Sequence, residues 1–185
     1  IVKIRLKCEK CKKVFYRYES AILKRNFCSY SCFQDYRYDM TKNHDFFEEI
    51  NTENKSYWLG FLFADGNVSS KKRKQKSITI ALSSKDEKHL NKFAIIFGSS
   101  VRRYYRDNYE TCICSITSER MWNNLVEKGL FPNKTYIDNG EVFNFIPKKF
   151  KKDFIRGYFD GDGGISINKK TNGMCFHMIG TKKIL

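Results

Sequence analysis

Apolar and polar positions along the chain follow first a helical period and then a strand period. The apolar residues of 57–64 fall at i, i+3, i+4 and i+7, which is one face of a helix, and residues 77–83 then alternate at period two, as a half-buried strand does. Continued to residue 128, the pattern predicts the order helix, two strands, helix, two strands, helix. This order is typical of an α+β fold whose antiparallel sheet has helices on one face and leaves the other face free.

One segment of this pattern occurs twice. Residues 58–69 return as residues 155–166, at an offset of 97 residues and without a gap, and each copy is an apolar helical run that ends in Asp-Gly. Gly60 and Gly157 lie in the middle of the two predicted helices, where glycine costs about 0.5–1 kcal/mol relative to alanine. That cost is tolerated where two backbones approach closely, so we expect the two helices to pack through their small residues. An internal repeat of this kind predicts two related halves.

Each predicted helix ends in a carboxylate followed by a glycine, at Asp65-Gly66 and at Asp162-Gly163. The glycines are natural C-caps, and the helix dipole disfavours a carboxylate in the last turn by about 0.3–1 kcal/mol. If the helices pair in parallel, the two carboxylates also repel each other unless a cation lies between them. Hard oxygen ligands suit Mg²⁺, so the spacing predicts Asp65 and Asp162 as magnesium ligands. Two buried core helices with polar ends remain the alternative.

Composition indicates a basic protein that folds. The chain has 185 residues with 35 Lys and Arg against 20 Asp and Glu, a net charge of +15, and 16% aromatic residues. Such an excess indicates a polyanionic partner, although a merely soluble basic surface is the alternative. No apolar run is long enough to span a membrane, and no signal-peptide pattern opens the chain. We therefore expect an intracellular protein (cytoplasm, organelle or phage-infected cell) with no membrane partner.

Four of the seven cysteines have metal-type spacing, with C-x2-C followed after sixteen residues by C-x3-C, at Cys8, Cys11, Cys28 and Cys32. Two pairs of thiolates supply the four ligands that tetrahedral Zn²⁺ needs. The segment is too small to bury a core, so structural zinc would supply its folding free energy. A reducing compartment fits this cysteine usage, and four free cysteines in a basic region are the alternative. Cys112 and Cys114 alternate with Ile113 as in a strand, which indicates a structural role.

Residues 59–66 and 155–163 resemble the two signature helices of the LAGLIDADG homing endonucleases. The resemblance implies a pseudo-twofold saddle over double-stranded DNA, built from αββαββα repeats, in a monomer with two pseudo-symmetric halves and no small-molecule substrate. It implies that Asp65 and Asp162 are catalytic in Mg²⁺-dependent hydrolysis of both strands at a specific site, with a mobile intron or intein as host. Phe63 stands where the family often has an acidic residue, and Arg156 where it often has a small one.

Two further stretches resemble parts of such nucleases. Residues 129–135 resemble a Gly-Leu-x-Pro-x-Lys-Ser/Thr stretch that often precedes the second motif, which makes Lys134 a candidate catalytic residue near the scissile phosphates. A solvated loop lysine is the alternative. The basic cysteine segment resembles the small zinc-ribbon or finger appendages of mobile-element nucleases, which implies added, salt-dependent affinity for DNA. Whether it also reads bases stays open.

The predicted strand 77–83 turns small hydrogen-bonding residues outward beside a basic tip, which suits contact with a DNA groove. Basic residues of the later strand 101–106 extend the same surface. The predicted DNA-binding residues are Lys71, Lys72, Arg73, Lys74, Lys76, Ser77, Thr79, Arg102, Arg103 and Arg106. An ordinary solvated hairpin is the alternative.

The resulting domain prediction has four parts: a four-cysteine zinc-binding module at 1–40, a linker at 41–56, the first repeat at 57–144 and an incomplete second repeat at 145–185. Only 22 residues follow Gly163, so we expect half of the second sheet to be absent. We therefore expect a fragment or a decayed gene, and a chain that is poorly soluble or inactive as written.

Two rival functions stay open beside the endonuclease. One is a DNA- or RNA-binding protein of the same fold that does not cleave, such as a maturase or a regulator. The other is a zinc-stabilised structural or RNA-binding protein. Paired carboxylates facing phosphate favour cleavage, because a protein that only binds has no need of them.

Overall fold

The computed structural model describes residues 2–40, 43–70, 72, 75–106, 109–132, 134, 140–168, 170 and 173–185, without the side chains of residues 37–40 and 106. It divides into two compact units, Ile1–Lys42 and Asn43–Leu185.

The first unit is a β-hairpin followed by a helix. Strand β1 (Lys3–Lys7) pairs antiparallel with β2 (Val14–Tyr18), and α1 (Tyr30–Met40) comes after a loop. Between the strands the chain turns tightly, since the N–H of Cys8 donates to the carbonyl of Lys13 at 2.9 Å and Lys12 has a φ of 62°. The hydroxyl of Ser29 accepts from the N–H of Cys32 at 3.1 Å and so caps the start of α1. The first two cysteines therefore lie in the hairpin turn, and the last two lie beside the start of α1.

The second unit opens with a helix and a four-stranded antiparallel sheet. Its elements follow in the order α2 (Glu53–Asp65), β3 (Gly66–Val68), β4 (Ser77–Ser83), α3 (Glu87–Ile96), β5 (Val101–Arg106), β6 (Tyr109–Thr117) and α4 (Glu119–Glu127). The strands lie in the order β3-β4-β6-β5. Then α5 (Lys151–Asp162), β7 (Gly163–Ile167) and β8 (Met174–Met178) start the same sequence of elements again. The predicted α+β fold class and the αββαββα order of the first repeat are confirmed.

The core of this unit lies between the sheet and its helices. Ile78 pairs in register with Ile116 and Ile80 with Cys114, and all four side chains are buried on the same face of the sheet. Helices α3 and α4 contribute further buried side chains to the same cluster, among them Leu90, Phe93, Met121 and Leu125. The opposite face of the sheet is left for other contacts, as the alternating pattern predicted.

Residues 43–56 belong to the second unit and contribute to its core. Phe47 is fully buried and Ile50 nearly so, and the ring of Phe46 meets that of Phe97 edge-on at 5.2 Å. The prediction of a linker over 41–56 did not anticipate this packing, because its three apolar residues are hidden in an otherwise polar stretch. From Asn43 onward the chain belongs to the core of the second unit.

Strands β7 and β8 form a separate two-stranded sheet. Several of their apolar side chains are largely exposed, for example Ile167 and Phe176 at 64% each. The low solubility expected from the sequence stays a prediction.

No helix among the residues that the structure describes is both long enough and apolar enough to cross a membrane.

Candidate functional site

Helices α2 and α5 meet backbone to backbone through their glycines. A Cβ atom on Gly60 would stand 2.0 Å from the carbonyl oxygen of Phe154, and one on Gly157 would stand 1.9 Å from that of Tyr57. The two contacts are equivalent in the repeat, since Gly157 lies 97 positions after Gly60 and Phe154 lies 97 positions after Tyr57. A Cβ on Gly161 would likewise meet that of Ala64 at 2.4 Å, so the contacts advance in the same direction along both helices. The pair is therefore parallel, and only residues without a side chain fit at its crossing.

Both helices end at one place, each in a carboxylate. Asp65 is the last residue of α2 and Asp162 the last of α5. The carboxylate of Asp65 lies against the last turn of α5, because a Cβ on Gly161 would stand 3.2 Å from Asp65 Oδ2. The parallel packing thus brings together the two residues that the repeat singled out.

The glycines after these aspartates serve a different purpose from the one expected. Gly66 has a φ of −74° and Gly163 one of −97°, both extended, so neither is a left-handed C-cap. Glycine is needed at these two positions because a side chain would not fit there. A Cβ on Gly66 would stand 2.6 Å from the carbonyl oxygen of Leu62, and one on Gly163 2.4 Å from that of Phe159. Each glycine lets the chain leave its helix directly into a strand.

The two carboxylates share an electrostatic environment with Lys134. Burial raises the pKa of both Asp65 and Asp162 above the ordinary value, and the charge of Asp162 raises that of Asp65 further. The ammonium group of Lys134 opposes both shifts. One lysine faces two aspartates and two helix C-termini, which leaves an excess of negative charge. Oxygen ligands with such an excess suit a hard divalent cation.

Lys134 is fixed on the end of α2. Its Nζ donates to the carbonyl oxygen of Leu62 at 2.8 Å and also to that of Ala64. Burial lowers the pKa of Lys134 to about 8, against the opposing effect of Asp162 and Asp65. The alternative of a solvated loop lysine does not fit these contacts. Sequence reasoning missed this capping role, for which a basic side chain near a helix C-terminus is suited.

A polar cluster that sequence reasoning missed joins α2, α3 and α5. Tyr57 donates its hydroxyl proton to Asp160 Oδ2 at 2.7 Å, and His89 Nε2 lies 3.1 Å from the same hydroxyl. At the positions related by 97 residues, the rings of Phe63 and Phe154 meet edge-on at 5.6 Å instead. The signal was present in the sequence, since Asp160 stands where the first copy has a phenylalanine.

The outer face of the sheet carries small polar side chains, as predicted. Thr79 and Ser115 lie side by side, with their hydroxyl oxygens 3.1 Å apart. Arg102 pairs with Ile113 of β6, which in turn pairs with Ala81 of β4, and all three lie on this same face. Neighbouring Arg103 pairs with Cys112 and so faces the helices.

There Arg103 donates to Glu87 of α3 and, at 3.3 Å, to Glu110. The predicted surface of Thr79 and Arg102 therefore does not include it. Lys72 is exposed near the tip, and Lys76 Nζ lies 5.0 Å from the centre of the Trp122 ring. Ser77 is half-buried on the outer face. Four predicted DNA-binding side chains lie outside the described residues: Lys71, Arg73, Lys74 and Arg106.

The cysteine cluster of the first unit has the dimensions of a zinc site. The sulfur atoms of Cys8, Cys11, Cys28 and Cys32 all lie within 4.8 Å of one another. Cys11 and Cys28 are 3.5 Å apart, and Cys28 and Cys32 3.6 Å. Tetrahedral Zn²⁺ with Zn–S bonds of about 2.3 Å holds its sulfurs about 3.8 Å apart. The four side chains therefore fit this ion.

The ionisation of these thiols is uneven. Burial acts to raise the pKa of Cys8, but the backbone N–H groups of Cys11, Cys28 and Lys10 outweigh it and hold the pKa at about 6. Hydrogen bonds with Cys11 and Cys32, together with burial, raise the pKa of Cys28 to about 12. A bound cation would stabilise all four thiolates at once.

The other buried cysteines and Asn26 have structural surroundings. Cys112 and Cys114 are buried in β6, and burial raises the pKa of both.

In the first unit, Asn26 accepts at Oδ1 from the N–H of Leu23 at 3.0 Å, while its own backbone carbonyl accepts from the N–H of Glu9 at 3.0 Å. Sequence reasoning did not single out Asn26, which ties the loop before α1 to the turn that carries the first cysteines.

No protein-family model matches the chain, and no curated protein does. Solved structures do match. The homing endonuclease I-WcaI bound to its DNA recognition sequence has a TM-score of 0.53 at 17% identity, over 80% of this chain and 65% of that one. The LAGLIDADG homing endonuclease I-GzeII in complex with its DNA target has a TM-score of 0.38 at 12% identity, over 65% of this chain and 64% of that one. This chain thus spans just under two thirds of the length of either structure, and its fold is similar to that of the homing endonuclease I-WcaI.

Proposed function

We propose that the chain is a site-specific endonuclease for double-stranded DNA, of the kind carried by a mobile intron or intein. The observation that carries the proposal is the parallel pairing of α2 and α5, which brings Asp65 and Asp162 together at two helix ends. The likeness in fold to DNA-bound homing endonucleases supports it. A protein that only binds DNA has no use for two repelling carboxylates that burial has made costly to ionise.

Asp65 and Asp162 are the residues that would hold Mg²⁺, since they supply hard oxygen ligands where negative charge is in excess. The bound ion would supply charge stabilisation at the phosphodiester and would lower the pKa of the attacking water. The close packing through Gly60 and Gly157 fixes the distance between the two aspartates, so each can serve one of the two strands.

Lys134 is the third proposed catalytic residue. At neutral pH it is largely protonated, because its pKa of about 8 lies above 7. Its hydrogen bonds to Leu62 and Ala64 hold this positive charge beside both aspartates. There it would stabilise the negative charge that develops on the phosphate during hydrolysis.

The outer face of the sheet is the proposed surface for DNA. The small hydroxyl side chains on this face allow the sheet to approach a groove of the DNA closely. Arg102 on the same face supplies positive charge. The basic tip 71–76 would add phosphate contacts. In the first unit, Zn²⁺ held by the four cysteines would fold a basic module that adds salt-dependent affinity.

Cleavage of the DNA that flanks this reading frame, rejoined without it, tests the proposal. Although the incomplete second repeat predicts an inactive chain, the paired carboxylates lead us to expect that the wild-type chain cuts both strands in Mg²⁺. Asp65→Asn and Asp162→Asn should each lower double-strand cleavage by at least about a hundredfold. Both variants should still bind the same duplex. Asp45→Asn, in an exposed turn, is the matched control and should cut normally.

The outcomes separate the rival functions. Full cleavage by Asp65→Asn with added Mg²⁺ would remove Asp65 from the mechanism. Tight duplex binding without nicking by the wild-type chain would favour the non-cleaving protein of the same fold, and a preference for structured RNA over duplex DNA would point to an RNA-binding protein.

A further inference from the structure

A cavity lies wholly within the first unit. Its volume is about 520 Å³, within the range of ligand-binding clefts. It lies between the end of β2, the loop before α1 and α1 itself. Apolar rings and two guanidinium groups line most of it: Arg17, Leu23, Arg25, Phe27, Ser29, Tyr30, Phe33 and Tyr36.

The cavity offers aromatic rings to a flat ligand. Phe27 lies at the centre, with its ring 5.5 Å from that of Phe33 and 5.0 Å from that of Tyr36. Tyr30, beside Phe33 at 6.2 Å, is 73% exposed, so most of its ring faces solvent. Nucleobases stack on exposed rings of this kind, and stacking tolerates any base because every base has a π-face.

Two arginines give the same cavity a positive charge. Arg17 donates to the carbonyl oxygen of Phe27 at 3.1 Å, and Arg25 donates to the Tyr36 hydroxyl at 2.5 Å while lying over its ring. These contacts use one of the five N–H donors of each guanidinium, so donors remain for an anionic group. Residues 1–42 also hold eleven Lys or Arg against four Asp or Glu. The charge therefore favours a polyanion over an apolar peptide.

We propose that this cavity binds an unpaired nucleobase of single-stranded DNA, with the base against Tyr30 and Phe33 and its backbone phosphate at Arg25. A base within a duplex shows only its edges, whereas the rings here need a base whose face is free. The choice of DNA over RNA rests on the proposed function. The base-binding cavity itself does not, since its rings and arginines belong to the first unit alone.

Binding of the zinc-loaded 185-residue chain to labelled oligonucleotides, measured by fluorescence anisotropy, tests the proposal. The probes are an oligothymidylate of about twelve nucleotides and an abasic strand of the same length, which keeps the phosphates but has no bases. The wild-type chain should bind oligothymidylate about tenfold more tightly than the abasic strand. Tyr30→Ser should abolish this difference and leave abasic binding unchanged.

Two further variants separate stacking from charge. Tyr16→Ser is the matched control, because Tyr16 is also largely exposed in the same unit, at 64% against 73% for Tyr30, but does not line the cavity. It should bind both probes as the wild type does. Arg25→Gln should weaken both probes alike and reduce the slope of log affinity against log salt by about 0.7, the value for one single-strand phosphate. Zinc content confirms that each variant is folded.

Equal affinity of the wild-type chain for the two probes would overturn the proposal. So would a loss of base preference in Tyr16→Ser as large as that in Tyr30→Ser. Tighter binding of oligouridylate than of oligothymidylate would overturn the choice of DNA. None of these measurements involves cleavage, so failure of the endonuclease proposal would be seen separately in the duplex assay.

Discussion

Gly60→Ala should destabilise the second unit strongly, although alanine is the better helix former. The added Cβ would stand 2.0 Å from the carbonyl oxygen of Phe154, where an ordinary C···O contact is about 3.3 Å. The obstructing atom belongs to the backbone of α5 and cannot rotate away. Helices α2 and α5 must therefore separate by roughly 1 Å, and the same reasoning applies to Gly157→Ala, which meets the carbonyl of Tyr57 at 1.9 Å.

The magnitude follows from three contributions. Overpacking of a tight interface costs up to about 3 kcal/mol, and separating the helices weakens the hydrogen bond from Tyr57 to Asp160, worth about 1 kcal/mol. Replacing a helical glycine by alanine returns about 1 kcal/mol. We expect each variant to lower the free energy of unfolding by about 3 kcal/mol, a large part of the stability of a small domain.

Urea denaturation followed by tryptophan fluorescence measures this change. Both tryptophans, Trp58 and Trp122, are buried in the second unit, so the signal reports on that unit alone. Ile155→Ala, on the exposed side of α5, is the control and should change stability by no more than about 0.5 kcal/mol. If Gly60→Ala unfolds at the wild-type urea concentration, the two backbones do not approach as closely as described, and the placement of the two aspartates loses its basis.

Other changes give separate results. Lys134→Met should lower the free energy of unfolding by about 1.5–3 kcal/mol, measured in the same urea titration, because the carbonyls of α2 lose a charged donor. Cys8→Ser should abolish stoichiometric zinc in a metal assay and leave tryptophan fluorescence unchanged, since the cysteines belong to the first unit. Tyr57→Phe should cost about 1 kcal/mol by removing the donor to Asp160. Burial lowers the pKa of His89, so stability should fall as the pH drops from about 6.5 through that lowered value. Comparing wild type with His89→Gln at about pH 7 and about pH 5 should show a smaller loss in the variant.

Features that depend on local periodicity could be predicted from the sequence. Features that depend on how distant segments pair with one another could not. Helical spacing and the repeat were sufficient for the elements and for the approach of α2 and α5, because a glycine within an apolar helical face has few other uses. The face of Arg103 was not predictable. Successive strand residues point to opposite sides, so of Arg102 and Arg103 only one can face outward, and the pairing with β6 decides which.

The role of Lys134 was equally hidden, because it depends on contacts across 70 and 72 residues of chain with the end of α2. A resemblance placed this lysine near the site but gave no partner for it. The packing of Phe47 was missed for a related reason, since a few apolar residues in a polar stretch show no period until a core is present to bury them.

Helices α2 and α5 have the same residue type, glycine, at their closest contact, but differ in the residues on either side of it. These differences affect which helices can pair. Tyr57 faces Asp160 on one side of the crossing, and their counterparts Phe154 and Phe63 face each other on the other side. If α5 paired with α5 of a second copy, Asp160 would face Phe154 and lose its donor, and if α2 paired with α2, Tyr57 would face Phe63 and lose its acceptor. Either pairing loses this hydrogen bond, worth about 1 kcal/mol, although the exposed Asp160 can be hydrated and Tyr57 keeps His89 Nε2 beside its hydroxyl. The differences between the copies thus favour pairing of α2 with α5 over pairing of like helices between two chains.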